Sequence, residues 1–267
     1  MSTWCSAGYL RTEVERKLNR CLRAHSGTAS HDGDEETAPP EANVVSGNFY
    51  TAQRFGVVRG RDYQYTGFAA ETHTPNIQKV LDKDDVVLLS TVGLSPMGEL
   101  VHVNGYHLAA TVAASLDASK VIYMANQGSV LRKKSNHTPI QELPLSFAQS
   151  IASYHQVVCS NTGFATFQKA KEQLEPAAVE LLLHMAWSSW AVSHGAKRAH
   201  IVNPADGALL EELFTANNGA NTCIYHDDEL VIQQRLADSE NAVVAQQDWD
   251  AFFESASAQG QTVAYYP

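Results

Sequence analysis

Positive charge is scarce in this sequence, and its one short run, Arg132-Lys133-Lys134, lies in a polar loop. Lys and Arg number 19 against 29 Asp and Glu, a formal net charge of -10 over 267 residues. With no lysine- or arginine-rich block, a phosphate backbone finds no electrostatic footprint, which excludes nucleic acid as a partner. Cysteine is scarce too. Cys5, Cys21, Cys159 and Cys223 are scattered and form no Cys-x-x-Cys pair. That usage fits a reducing compartment rather than a disulfide framework, and it supplies no thiolate metal site. No apolar run is long enough to span a bilayer. The most apolar segment, residues 177–192, is broken by Glu180, His184, Ser188 and Ser189. The chain therefore reads as soluble, in the cytoplasm or an organelle matrix (plastid or mitochondrion). No targeting segment is visible, since Arg11, Arg16, Lys17, Arg20 and Arg23 are mixed with Glu13 and Glu15, acids that a transit peptide avoids. Neither G-x-x-x-x-G-K-[ST] nor G-x-G-x-x-G occurs, so no ready-made phosphate loop declares itself.

What is present is a buried α/β pattern. Hydrophobic residues make up 44% of the chain, enough for a sizeable core. The organising stretch runs from Asp84 to Ala125. Val86–Leu89 is a short continuous apolar run, read as a strand buried on both faces. Residues 90–98 carry two glycines and a proline, read as a loop at that strand's C-terminal end. An alanine-rich helix over 106–116 and a second strand over 121–124 complete the unit. In open parallel sheets, ligands sit outside the carboxyl ends of such strands.

The flanks extend the alternation. Residues 9–24 read as an amphipathic helix, and 27–40 as an acidic exposed loop ending in Pro39-Pro40. Residues 43–67 alternate β-prone runs with Gly47, Gly56 and Gly60, which predicts hairpins. A short helix follows over 77–81. After a polar loop at 126–139, helices are predicted over 145–155, 165–175 and 176–193, the last opened by Pro176 and closed by Gly195. A strand at 199–202, a helix at 207–215 and a strand at 222–225 end the series. Such alternation predicts a mostly parallel sheet with helices on both faces.

Spacing alone yields no nucleophile–base pair and no metal cluster. Of eleven histidines, His102, His107, His184 and His194 lie on or near predicted helices and read as structural or surface residues. The acidic runs Asp32–Glu36 and Asp227–Glu229 read as solvated loops.

Three motifs in order carry a family resemblance. The stretch VVSGNFYTAQRFGVVRGRDYQYTG resembles the hairpin region of the amino-acid-kinase domain of N-acetylglutamate synthases. VVLLSTVGLSPMGELVHVNGYHLAATVAASLDASKVIYMANQGSVL is similar to that domain's central unit, and AHIVNPADGALLEELFTANNGANT to its closing motif. Residues 248–267 resemble, more weakly, the first helix of the acetyltransferase domain that follows. The resemblance implies a three-layer amino-acid-kinase-like α/β fold with a mostly parallel central sheet and hairpins in its N-terminal half, incomplete at the N-terminus. Residues 1–235 would form this domain, with an exposed loop at 26–41. Residues 236–267 would be a linker and the first helix of a truncated GNAT-like acetyltransferase domain. A gene-model fragment and a natural truncated paralogue both remain open.

The family reaction implied is acetyl transfer from acetyl-CoA to L-glutamate, giving N-acetyl-L-glutamate in arginine biosynthesis. This chain would carry mainly the regulatory domain, be inactive alone and hold no cofactor; acetyl-CoA belongs to the full-length family. The resemblance also implies a homo-oligomer and L-arginine as allosteric ligand. The arginine positions carried over are His200, Glu212 and Gly219. Glu212 has two readings: a carboxylate that holds the guanidinium fork, or a surface residue of an amphipathic helix. The pocket positions of the kinase fold are Gly93, Gly98 and Asn104; loop shaping by the glycines and helix capping by Asn104 are the rival readings. N-acetylglutamate phosphorylation, the activity of the related kinases, is disfavoured. Their N-x-N-A-D is here His102, Val103, Asn104, Gly105, Tyr106, and a tyrosine does not replace an ionised carboxylate. A non-catalytic pseudo-kinase or interaction protein is the other alternative.

Overall fold

The computed structural model of the protein describes residues 2–26, 42–58, 60–125, 140–168, 176–204, 208–214 and 221–227. The loops expected at 27–40 and 126–139 and the segment 236–267 lie outside the described residues. The chain divides into two compact units, residues 1–108 and 109–267.

The first unit opens with helix α1, Ser2–Ser26. Its half-buried face, Glu15, Asn19 and Leu22, includes polar contacts with β1. The Asn19 side chain pairs with the Val44 backbone, and Ser46 Oγ donates to Glu15. Leu10 and Leu18 stay exposed. Strand β1, Val44–Ser46, pairs in parallel with β6, Val86–Leu88. That pair is a two-stranded sheet, so β6 is not the doubly buried strand expected at 86–89: Val86 is 42% exposed. The predicted hairpins form as a nested pair. Strand β2 (Tyr50–Arg54) pairs antiparallel with β5 (Thr66–Thr72), and β3 (Val57–Val58) with β4 (Arg61–Asp62) between them. Helix α2, Thr74–Leu81, precedes β6 and buries Ile77.

The stretch read as a loop after residue 89 is instead a hairpin. Strands β7 (Val92–Leu94) and β8 (Leu100–Val103) pair antiparallel, and β2, β5, β8 and β7 close into a barrel. Closure gives each of the four strands a partner on both sides, although β2 and β7 meet at a single residue pair, Thr51 and Leu94. Tyr50, Ala52, Ala69, Val101 and Val103 are buried in this unit.

Helix α3, Gly105–Ser115, runs from the first unit into the second. The second unit is built on a four-stranded mixed sheet in the order β10 (Glu142–Pro144), β14 (Thr222–Tyr225), β13 (Arg198–Val202) and β9 (Val121–Met124). Two of the three pairings are parallel; β13 and β14 run antiparallel. Helix α4, Leu145–Tyr154, and helix α5, Pro176–Ser193, pack against it. Eleven residues of α5 are buried, so it is apolar around much of its circumference, as a core helix must be. The helix expected over 165–175 does not form where it is described. Ala165–Phe167 is strand β12, paired antiparallel with β11, Val157–Cys159. Buried Ala165, exposed Thr166 and half-buried Phe167 show the period of two that a strand imposes. Asp227 is not a simple solvated acid: its carboxylate accepts the Ser146 backbone N–H at 2.7 Å, in the first turn of α4.

Candidate functional site

The two faces of the β13–β14 pair do different work. Along β13, Ala199 and Ile201 point into the apolar core with Ile224 of β14. Period two then sends His200 and Cys223 to the other face, directly opposite one another across the ladder. Helix α6, Ala208–Phe214, covers that face. Its Leu210, Leu213 and Phe214 are exposed, whereas Glu212 between them is fully buried.

Glu212 is held from three sides. Its Oε2 lies 2.7 Å from His200 Nδ1, with both side chains 0% exposed. The approach is short, but its angle falls outside hydrogen-bond geometry, so proximity of charge and dipole holds the pair. Glu212 Oε1 accepts the backbone N–H of Asn221 at 3.2 Å. Lys120 Nζ donates to the Glu212 carbonyl at 2.6 Å, tying the C-terminal half of α6 to the segment entering β9. On the far side of the ring, His200 Nε2 lies 3.7 Å from Cys223 Sγ.

Burial is the main influence on His200 and pushes its pKa below the ordinary histidine value. The Glu212 carboxylate opposes that shift, while Lys120 and Arg198 add to it. The net downward direction favours the neutral imidazole. The contacts assign its tautomer: Nδ1–H faces the carboxylate, and the Nε2 lone pair faces the Cys223 thiol.

Two of the three arginine positions implied by resemblance, His200 and Glu212, are thus adjacent. Gly219 lies outside the described residues. Glu212 is not the surface residue of an amphipathic helix, and its carboxylate faces an imidazole. Lys120, Asn221 and Cys223 were missed, because each joins the site through tertiary contact. Cys223 had a usable signal: once two strands are placed at 199–202 and 222–225, alternation sends it to one face.

The pocket positions belong to the first unit and have structural occupations there. Gly93 sits in β7 against Tyr50; a Cβ added to it would lie 2.5 Å from the ring. Gly98 turns the β7–β8 hairpin at φ +78°, a conformation that disfavours a side chain. Asn104 Oδ1 accepts the backbone N–H groups of Tyr106 at 2.9 Å and His107 at 3.1 Å, the geometry of a cap at the start of α3. Two of the other described histidines have places in the packing. His107 and His184 are buried, and His184 stacks on Tyr123 with ring centroids 5.6 Å apart. Just past the end of α5, His194 Nδ1 donates to the Trp190 carbonyl, 2.7 Å away, and the ring stacks on that indole. Among the described residues, no group of three His, Cys, Asp or Glu is placed to hold a metal ion, and no helix is long and apolar enough to cross a membrane.

No protein-family model matches the chain. An amino-acid acetyltransferase of Pseudomonas fluorescens is 30% identical to it over 235 residues, 87% of this chain and 47% of that protein. One from Neisseria meningitidis is 33% identical over 196 residues, 73% of this chain and 39% of that protein. The chain is a relative of the amino-acid acetyltransferases. It spans about half the length of these curated relatives or less, 47% and 39% in the two named. Among solved structures, N-acetylglutamate synthase from Neisseria gonorrhoeae complexed with coenzyme A and L-arginine matches this acetyltransferase relative with TM-score 0.54 and 27% identity, over 80% of this chain and 45% of that one. Giardia carbamate kinase matches with TM-score 0.54 at 11% identity, over 84% of this chain and 72% of its own, a likeness of fold alone. The fold is amino-acid-kinase-like.

Proposed function

We propose that this N-acetylglutamate synthase-like protein is the arginine-responsive part of an enzyme of arginine biosynthesis. The observation that carries the proposal is the meeting of His200 and Glu212 at 2.7 Å under α6, two positions that the family resemblance assigned to arginine. A synthase of similar fold has been solved with L-arginine bound, which supports the choice of ligand. In the arrangement described, Glu212 is already occupied. Arginine would take the carboxylate by exchanging its guanidinium for the His200 imidazole, gaining two parallel hydrogen bonds where one crooked contact stood. Acetyl-CoA and L-glutamate would be substrates of the full synthase, and residues 1–267 alone would transfer no acetyl group. A homo-oligomer is part of the same proposal. Phosphoryl transfer has little to support it, since Tyr106 and the exposed His102 supply neither the carboxylate nor the cation that the moving phosphoryl group needs.

L-arginine at about a hundred times its dissociation constant should stabilise the fold by about 2.7 kcal/mol. For a protein of this size, at about 2–4 °C per kcal/mol, that raises the melting temperature by about 5–11 °C. L-lysine should do much less, because an ammonium lacks the planar fork. Glu212→Gln should lose the arginine response. Equal shifts with arginine and lysine, or an intact response in the variant, would sink the proposal. The complete burial of Glu212 favours the second reading, a non-catalytic interaction protein, and that reading predicts no ligand shift at all. Acetyl transfer is checked separately, by thiol release from acetyl-CoA with L-glutamate; turnover by residues 1–267 would refute the regulatory assignment.

A further inference from the structure

Three reactive groups stand in line beneath α6. His200 and Cys223 face each other across the β13–β14 ladder, with Cys223 Sγ 3.7 Å from His200 Nε2. The other ring nitrogen, Nδ1, lies 2.7 Å from Glu212 Oε2. Thiol, imidazole and carboxylate therefore follow in the order of nucleophile, base and orienting group, the constellation by which an adjacent base activates a weak nucleophile. Cys223 is a thiol outside any disulfide. Nothing in the proposed arginine response uses it.

We propose that Cys223 is a modification site: a base-activated thiol that takes a two-electron oxidant of the hydroperoxide class. His200 Nε2 accepts the proton of the Cys223 S–H. The thiolate sulfur attacks the near oxygen of the peroxide, the S–O bond forms and the O–O bond breaks. The departing oxygen takes the proton back from His200 and leaves as water, or as an alcohol from an alkyl hydroperoxide. Sulfur is oxidised by two electrons and the peroxide is reduced by the same two, leaving Cys223 as a sulfenic acid. Glu212 stabilises the imidazolium that exists between the two proton transfers. Lys120, whose ammonium is bound to the Glu212 carbonyl, offsets the negative charge of thiolate and carboxylate. With Cys223 2% exposed and its two partners fully buried, bulky reagents are excluded and the oxidant the proposal requires is a small neutral one.

A built-in comparison comes from Cys159. It is the more exposed of the two, yet its thiol donates to the Ala186 carbonyl at 3.4 Å, an acceptor that cannot take the proton away. Burial pushes the Cys159 thiol up to about 11. Exposure alone therefore favours reaction at Cys159, and activation favours Cys223.

The experiment treats the folded full chain with hydrogen peroxide at pH 7 for timed intervals, removes the peroxide with catalase, and unfolds the chain in urea containing dimedone, which traps sulfenic acid at every cysteine regardless of burial. Peptide mapping by mass spectrometry then gives a rate for each cysteine. Cys223 should be trapped about tenfold faster than Cys159, the scale on which thiolate fraction separates an activated thiol from a buried one. In His200→Asn the Cys223 rate should fall about tenfold, as loss of a general base requires, with Cys159 unchanged. A variant that merely loosened the core would expose Cys223 and speed its labelling, so a fall cannot come from poor folding. A Cys159 rate equal to or above that of Cys223 in the wild type overturns the assignment, whether or not the variant folds. So does a Cys223 rate in His200→Asn that stays level or rises. No arginine is present in this test, so its outcome and that of the arginine test are independent.

Discussion

Replacing Glu212 by alanine removes the centre of the site, and its cost can be worked from the contacts. The side chain is fully buried, 2.7 Å from His200 Nδ1, and it accepts the Asn221 backbone N–H at 3.2 Å. Truncation leaves the Asn221 backbone N–H buried without an acceptor and removes the carboxylate beside the buried His200 ring. An orphaned donor costs about 1–3 kcal/mol. Removing one member of a buried pair that includes a charge costs about 3–5 kcal/mol in total. These figures describe overlapping losses rather than additive ones, and one of the contacts is poorly aligned, so the expected destabilisation is about 3 kcal/mol. Glu212→Gln keeps the volume and an oxygen for the Asn221 N–H, and should cost about half as much. Urea unfolding followed by the emission of Trp187, buried in the same unit, reads both variants. A solvated carboxylate on an amphipathic helix would predict a change within about 0.5 kcal/mol. An alanine variant inside that margin, with an unaltered m-value, would refute the reasoning. A double-mutant cycle with His200→Gln isolates the pair: the coupling should be about 1 kcal/mol or more, and additive losses would show that the two side chains only happen to be near.

Two further outcomes follow from burial and close approach. Burial lowers the pKa values of His184 and His200, so the folded state refuses protons that the unfolded chain accepts below about 6.5. The stability they confer is complete above that pH and is lost as pH falls toward the depressed folded values, at up to about 1.4 kcal/mol per pH unit for each ring. His184→Phe should flatten this slope between pH 7 and 5 in urea titrations; an unchanged slope would count against the assignment. Gly93→Ala places a Cβ 2.5 Å from the Tyr50 ring and should cost about 1–3 kcal/mol through overpacking, whatever it does to any ligand. A neutral melt would mean that β7 yields, and would restore Gly93 as a position chosen for something other than packing.

Several elements were legible in the residue order because local pattern and tertiary role agree there. The helix at Pro176–Ser193 and the strands at 121–124, 198–202 and 222–225 are runs apolar enough to have one plausible fate, burial in a shared core. The nested hairpins could be read from glycines placed between β-prone runs. So could the pairing of chemistry in the closing motif, although only through resemblance: nothing in spacing alone joins His200 to Glu212, which lie on different elements. Where pattern and role diverge, the sequence misleads. Val86 has the apolar neighbours of a central strand, but its sheet has only two strands and leaves it half exposed. Residues 90–98 have the composition of a loop, yet barrel closure recruits Val92–Leu94 as a strand. Ala165–Phe167 is too short for helix and strand periods to be told apart, and pairing with β11 decides it. Glu212 was decided by packing alone. A charged residue among leucines on a seven-residue helix reads as its solvent face, but α6 lies with Leu210, Leu213 and Phe214 outward and the carboxylate inward. The cross-strand register that puts His200 opposite Cys223 supplies the partner that makes such burial tolerable, and register is a property of two strands brought together, not of either one.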